Sequence, residues 1–193
     1  MTDLLFNWKR FWCPRGAEIL LTGGGFLLDP ESEFGSYNPH VVPFEEIRNK
    51  PCLVLLGEPG IGKTTALEHD RAETEAAVRR PDEILHWQNL NVYQSDVLLV
   101  RSLFEEPAFV NWRTGSGILH LFLDSLDECL IRIDTLAALL AQELARCPID
   151  RLRLRIACRT AMWPGLLETQ FKRNTVRQVI TTVSAKVFFK GGR

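Results

Sequence analysis

The feature that most constrains the fold is a glycine-rich loop that follows an apolar segment. Cys52–Leu56 is a run of five apolar residues, which is typical of a strand covered on both faces of a parallel sheet. The next eight residues fit the pattern G-x-x-x-x-G-K-[ST] and are Gly57, Glu58, Pro59, Gly60, Ile61, Gly62, Lys63 and Thr64, and Thr65 follows them. An Ala- and Glu-rich run over residues 62–80 stops before Pro81 and predicts a helix. Strand, loop and helix in this order predict a phosphate-binding loop.

The loop also predicts roles for its residues. Its backbone N–H groups point inward, and the dipole of the following helix adds partial positive charge. In this type of loop Lys63 reaches the β and γ phosphates, and the hydroxyl of Thr64 meets a magnesium ion. We therefore predict that the chain binds a nucleoside triphosphate together with Mg²⁺.

Composition limits the other classes of function. The chain has 193 residues, of which 46% are hydrophobic, so it can bury one sizeable core. A net charge of −1 gives no basic field of the kind that attracts nucleic acid. The longest uncharged apolar run, residues 19–28, is too short to cross a membrane, and no secretory leader pattern follows Met1. The five cysteines form no C-x-x-C pair, which argues against a zinc knuckle or a disulfide framework. We expect a soluble cytoplasmic protein with no membrane or nucleic-acid partner.

The chain divides into three predicted parts, which are an N-terminal arm over residues 1–50, a nucleotide-binding domain over 51–183 and a tail over 184–193. A short helix is predicted over residues 43–47, just before the loop. Beyond the loop, apolar runs predict strands over residues 84–87, 118–124, 152–158 and 176–183, and helical spacing predicts helices over 96–104, 134–146 and 164–171. The fold class is therefore α/β, with a parallel sheet of about five strands flanked by helices.

Carboxylates at the end of one strand supply the second part of the predicted site. The strand over residues 118–124 ends at Asp124, and Asp127 and Glu128 follow within one turn. Ligands of open α/β sheets bind at the carboxyl ends of the strands. Asp124 is therefore predicted to hold the magnesium ion through water or through Thr64, and Glu128 to polarise the attacking water. Asp127 is the competing candidate for that second role.

Arg159 is the third predicted part of the site, because the strand over residues 152–158 delivers it to the same edge as Asp124. A cation there could contact the γ-phosphate, and the alternative is an ordinary surface ion pair. Arg151, Arg153 and Arg155 alternate with leucines in this strand. We interpret them as solvated side chains at a partly exposed strand start.

Together these residues resemble the NACHT branch of the STAND P-loop ATPases. The resemblance rests on the loop G-E-P-G-I-G-K-T-T, the strand end D-S-L-D-E and the later strand end C-R-T, and it covers residues 52–171. It implies a RecA-like fold, ATP or ADP with Mg²⁺ as cofactors, and an ATPase activity. It also implies Asp124 as the metal carboxylate, Asp127 and Glu128 as the acidic pair that includes the water-activating residue, and Arg159 as the sensor.

Proteins of this family act as nucleotide-driven signalling switches, often in immunity and in bacterial defence against phage, and the resemblance implies such a role here. Their closed form holds ADP, and sensing allows exchange for ATP and self-association. They continue into a helical lid, a winged helix and a sensor region, which nothing here resembles. We therefore expect a chain truncated after the sensor strand, whose partners are the nucleotide, copies of itself, or a missing lid and sensor region.

The chain lacks the signature motifs of two other classes of nucleotide-binding protein, and two alternatives stay open. A GTPase would carry N-K-x-D, whereas Asn49-Lys50-Pro51-Cys52 lacks the acid and precedes the loop. The L-S-G-G-Q-like signature of transporter ATPases is absent as well. An AAA-type ATPase is one open alternative, although such proteins usually have D-E directly at the strand end, where this chain has Asp124-Ser125. A scaffold that binds nucleotide without turnover is the other.

Overall fold

The computed structural model describes residues 10–21, 27, 29–78, 82–173 and 180–187. Within these residues a single seven-stranded sheet runs in the order β2-β1-β7-β3-β6-β5-β4. Its strands are β1 Arg10–Pro14, β2 Val42–Pro43, β3 Cys52–Leu56, β4 Ile84–Asn89, β5 Leu119–Asp124, β6 Leu152–Cys158 and β7 Ile180–Val187. The helices are α1 Phe44–Ile47, α2 Lys63–Ala77, α3 Asp96–Leu103, α4 Pro107–Thr114, α5 Leu126–Leu130, α6 Leu136–Ala145 and α7 Gly165–Arg173. Single 3-10 turns cover Gly35–Tyr37, Leu90–Val92, Ile149–Arg151 and Thr160–Met162.

The five strands β7, β3, β6, β5 and β4 pair in parallel, which confirms the predicted α/β fold. β6 lies between β3, which leads into the glycine-rich loop, and β5, which ends in Asp124. All five strands point the same way, so their carboxyl ends share one edge of the sheet. The predicted site residues follow β3, β5 and β6 and therefore lie at that edge.

The two faces of the sheet bury separate apolar clusters, because successive residues of a strand point to opposite sides. Leu53 and Leu55 pack on one face with Leu67 of α2. Val54 and Leu56 pack on the other face, in a larger cluster to which α3, α4, α5, α6 and α7 contribute. The sheet is therefore covered on both sides, as the continuous apolar runs of β3 and β5 predict. Among the described residues, no helix is long and apolar enough to cross a membrane.

Several boundaries differ from the prediction. The helix after the loop ends at Ala77, and the predicted end near Arg80 falls outside the described residues. Pro107 begins α4, a helix that was not predicted; the missing N–H of proline costs nothing at the first position of a helix. The last strand starts at Ile180 and continues to Val187, four residues beyond the predicted end, while residues 176–179 lie outside the described part of the chain.

The first described residues of the chain belong to the sheet. β1 lies between β2 and β7 and is antiparallel to both. Trp12 of β1 is fully buried and meets the ring of Phe44 edge-on, with 5.9 Å between the ring centroids. This strand thus extends the parallel sheet and packs on α1. The division of the chain at residue 50 stays a prediction.

The interpretation of the β6 arginines as solvated is wrong for Arg155. Its side chain is buried, and Nε donates to Oδ2 of Asp70 in α2 at 2.9 Å. Its Nη1 also donates to the carbonyl oxygen of Lys50 at 2.8 Å. Arg151 is partly buried and donates to the carbonyl of Gly117 at 2.9 Å. Buried charges need such partners, which the alternation of arginine and leucine in the sequence does not reveal.

Candidate functional site

The loop between β3 and α2 takes a shape that glycine makes accessible. Gly60 and Gly62 have φ angles of 76° and 93°, in the left-handed region that side chains disfavour. Gly62 is also the residue immediately before the first turn of α2. The helix therefore starts with its free N–H groups facing the loop, and this arrangement favours an anion.

Lys63 curls back over the loop. Its Nζ donates to the carbonyl oxygens of Gly57 at 2.7 Å and Glu58 at 3.0 Å. Burial lowers the pKa of this ammonium, and the nearby carboxylate of Asp127 partly offsets the effect. The loop thus holds a cation above its own backbone.

Thr64 and Asp124 bring two oxygen atoms together, one from α2 and one from the end of β5. The Thr64 hydroxyl donates to Oδ1 of Asp124 at 3.2 Å. Asp124 is buried, and this burial raises the pKa of its carboxyl, while the Thr64 hydroxyl and the Ser125 N–H act in the opposite direction. Hydroxyl and carboxylate oxygens at such a distance fit Mg²⁺, which binds few protein ligands when phosphates and water complete its shell.

Ser125 makes the turn that follows β5. Its φ of 58° and ψ of 39° lie in the left-handed region, and no other non-glycine residue in the described part of the chain has a positive φ. Such conformations cost energy and cluster at functional sites. The turn starts α5 immediately, so Asp127 and Glu128 occupy its first turn beside Asp124.

Arg159 and Asp127 form a two-point contact. Oδ2 of Asp127 lies 2.7 Å from the Arg159 Nε, and Oδ1 accepts the backbone N–H of Arg159 at 3.0 Å. Asp127 is buried, whereas the Arg159 side chain is 41% exposed. Both oxygens of Asp127 are therefore engaged in holding the residue that follows β6. The carboxylate of Glu128 is half-buried and has no hydrogen-bond or ion-pair partner among the described residues.

One contact at the loop was not predicted from the sequence. The Nε of Arg10 in β1 donates to the carbonyl oxygen of Ile61 at 3.1 Å, and a Cβ on Gly62 would collide with the guanidinium. The antiparallel pairing of β1 with β7 brings Arg10 to this edge, and no local pattern in the sequence signals that pairing. The predicted residues Lys63, Thr64, Asp124 and Asp127 do converge, and their catalytic and binding roles stay predictions.

Comparisons with known proteins give fold-level likenesses only. No protein-family model matches the chain, and no curated protein matches it. Among solved structures, the chain is similar to the Thermotoga maritima RuvB Holliday junction branch migration motor, with 15% identity, a TM-score of 0.36, and 68% of this chain and 37% of that one covered. It is also similar to C. elegans PCH-2, with 18% identity, a TM-score of 0.39, and coverage of 74% and 37%. The chain thus spans a little over a third of each of these proteins.

Proposed function

We propose that this chain is an ATP-binding module that hydrolyses ATP slowly and acts as a nucleotide switch. The observation that carries the proposal is the 3.2 Å contact between the Thr64 hydroxyl and Asp124, with Lys63 folded over the adjacent loop. A hydroxyl, a carboxylate and an ammonium at the mouth of a glycine-rich loop provide what a magnesium-bound triphosphate requires. The lack of a guanine-reading N-K-x-D motif favours adenine as the base.

Binding uses the loop and the start of α2. The left-handed Gly60 and Gly62 turn the loop backbone around the phosphates, and the N-terminal N–H groups of α2 add donors. Lys63 leaves the carbonyls of Gly57 and Glu58 to pair with the β and γ phosphates. Mg²⁺, held by Thr64 and Asp124, would neutralise charge on these phosphates.

Hydrolysis needs one residue to orient water, and Glu128 is a better candidate for this role than Asp127. Both carboxylate oxygens of Asp127 contact Arg159, Oδ2 at 2.7 Å from Nε and Oδ1 at 3.0 Å from the backbone nitrogen. It is therefore assigned as the positioning residue of the sensor arginine. Glu128 keeps its carboxylate available in the first turn of α5, beside Asp124. A general base of this kind contributes about a hundredfold or more to the rate.

The finer assignment is to a NACHT-type STAND ATPase with a role in signalling or defence. Its support is the order of the motifs along the chain, together with the Asp127–Arg159 contact, which joins the D-S-L-D-E and C-R-T elements. Movement of Arg159 with the γ-phosphate would pass through Asp127 to α5. The partners that would read this movement are a lid and sensor region, or further copies of the chain.

Steady-state ATP turnover with parallel nucleotide binding tests the proposal. Glu128→Gln should slow hydrolysis by about a hundredfold and leave ATP affinity unchanged, because the amide cannot take a proton. Glu105→Gln, which alters an exposed glutamate in the segment between α3 and α4, is the matched control and should behave as wild type. Equal turnover in Glu128→Gln would remove Glu128 from the mechanism. Magnesium-dependent binding without turnover in the wild type would leave the non-hydrolysing scaffold as the function.

A further inference from the structure

Arg10 lies at the nucleotide edge because of the direction of β1. In the pairing of β7 with β3, Ser184 is opposite Leu56, the last residue of β3. Arg10 is opposite Val187, three residues further along β7. Because β1 is antiparallel to β7, its first residue lies beyond the end of β3, level with the glycine-rich loop. The strand therefore delivers a cation to the last residues of the loop, next to the start of α2.

The contact that Arg10 makes there is specific. Its Nε donates to the carbonyl oxygen of Ile61 at 3.1 Å, and the guanidinium packs against Gly62. Gly62 is the residue before Lys63, so the guanidinium touches the part of the loop that curls around the phosphates. A carbonyl accepts a hydrogen bond but does not neutralise the positive charge. A phosphate does both, and arginine suits phosphate through its planar array of donors.

The base of the side chain is held firmly. The next three residues of β1, Phe11, Trp12 and Cys13, are 1%, 0% and 2% exposed. All five residues of β1 are paired with residues of β7. Binding therefore has to order only the side chain of Arg10 and not its backbone, which lowers the entropic cost of the contact.

We propose that Arg10 is an additional nucleotide-binding residue that supplies a cation to the phosphates from the first strand of the sheet. The inference rests on the proposed function, because it names a further residue of the same site. In the nucleotide-free protein Arg10 orders the loop through Ile61, and in the bound protein it contacts the phosphates as well. The N-terminal strand thereby becomes part of the nucleotide site.

The test compares the affinity of Mg-ATP for wild type, Arg10→Ala and Arg10→Lys. Arg10→Ala should weaken binding about tenfold, since a charge-assisted hydrogen bond is lost, and Arg10→Lys should recover most of it. Inorganic pyrophosphate, used as a competitor of a fluorescent ATP analogue, should lose affinity by a similar factor in Arg10→Ala. Arg15→Ala is the matched control, because Arg15 follows the far end of β1 and pairs with Glu168. It should bind as wild type.

The outcomes separate the two proposals. Loss of Mg-ATP binding in Lys63→Ala with unchanged affinity in Arg10→Ala would overturn the role of Arg10 and keep the nucleotide site. No binding by folded wild type would overturn the proposed function itself. If Arg10→Ala does not fold, Arg10→Gln and Arg10→Lys replace it. Equal affinities of those two variants would then contradict a charge-dependent contact, and weaker binding by Arg10→Gln alone would support it.

Discussion

Removal of the Asp70 charge should destabilise the protein strongly, because Asp70 is the only carboxylate beside a buried guanidinium in the described part of the chain. Asp70 is 2% exposed, and its Oδ2 lies 2.9 Å from the Nε of Arg155. Its Oδ1 lies 3.2 Å from the Nη2 of Arg48. Breaking one side of a buried ion pair costs about 3 to 5 kcal/mol, since the other charge is left uncompensated. The asparagine in Asp70→Asn keeps one oxygen acceptor, so we expect the free energy of unfolding to fall by about 3 kcal/mol, at the lower end of this range.

Thermal denaturation measures this cost. For a chain of this size a loss of about 3 kcal/mol lowers Tm by roughly 6 to 12 °C. The matched control is Glu73→Gln, which removes another carboxylate partner of Arg48 from the same helix. The Glu73 side chain is 43% exposed, and exposed pairs contribute about 0 to 1 kcal/mol. A change in Tm for Asp70→Asn no larger than that for Glu73→Gln would refute the reasoning.

A double replacement sharpens the test. Arg155→Met alone should also destabilise, because it leaves the Asp70 carboxylate buried beside a thioether. Asp70→Leu combined with Arg155→Met should be less destabilising than the sum of the single replacements, since no buried charge of the pair remains. Urea unfolding of Asp70→Leu, Arg155→Met and the double variant gives the coupling free energy between the two side chains. Additive losses would show that the two charges act independently.

Three further predictions concern the Asp124 carboxylate, the turn at Ser125 and two buried cysteines. Burial raises the pKa of Asp124, so as the pH falls its carboxylate is protonated at a higher pH than that of an ordinary aspartate, and Mg-ATP affinity should fall in the same pH range. Asp124→Asn should remove this pH dependence in calorimetric titrations. The same variant should raise the Tm of the nucleotide-free protein at pH 7, because it removes a buried charge. Ser125→Gly should leave Tm unchanged or raise it slightly, whereas Ser125→Val should lower stability by about 1 to 2 kcal/mol in urea unfolding, because the φ of 58° suits glycine and not a β-branched residue. Burial raises the pKa values of Cys52 and Cys158 to about 12, so iodoacetamide at pH 8 should modify neither thiol until the protein unfolds, and rapid native labelling seen by mass spectrometry would contradict this.

Consecutive residues were enough to predict the elements that frame the candidate site. The apolar run of β3, the glycine spacing and the helix signal are contiguous, and each is confirmed in the structure. Asp124 was predicted beside Thr64 because the carboxyl ends of parallel strands share one edge, and the two side chains do meet.

Two other contacts between distant parts of the chain were not predicted from the sequence. Arg155 was interpreted as solvated because its strand alternates in polarity, yet its partner Asp70 lies 85 residues earlier and covers that face. Arg10 reaches Ile61, which lies 51 residues later in the chain, because β1 pairs antiparallel with β7. A local pattern predicts which residues share one face of a strand. Which residues pack against that face depends on the packing of the whole chain.

Mg-ATP binding by the wild-type chain and Lys63→Ala, measured by isothermal titration calorimetry, tests the central claim most directly. Lys50→Ala, which removes an exposed lysine near the start of β3, is the control. The wild type and Lys50→Ala should bind ATP only with Mg²⁺ present, and binding should be lost in Lys63→Ala because the cation facing the β and γ phosphates is gone. Equal affinity in Lys63→Ala, or no binding by a folded wild type, would contradict the account.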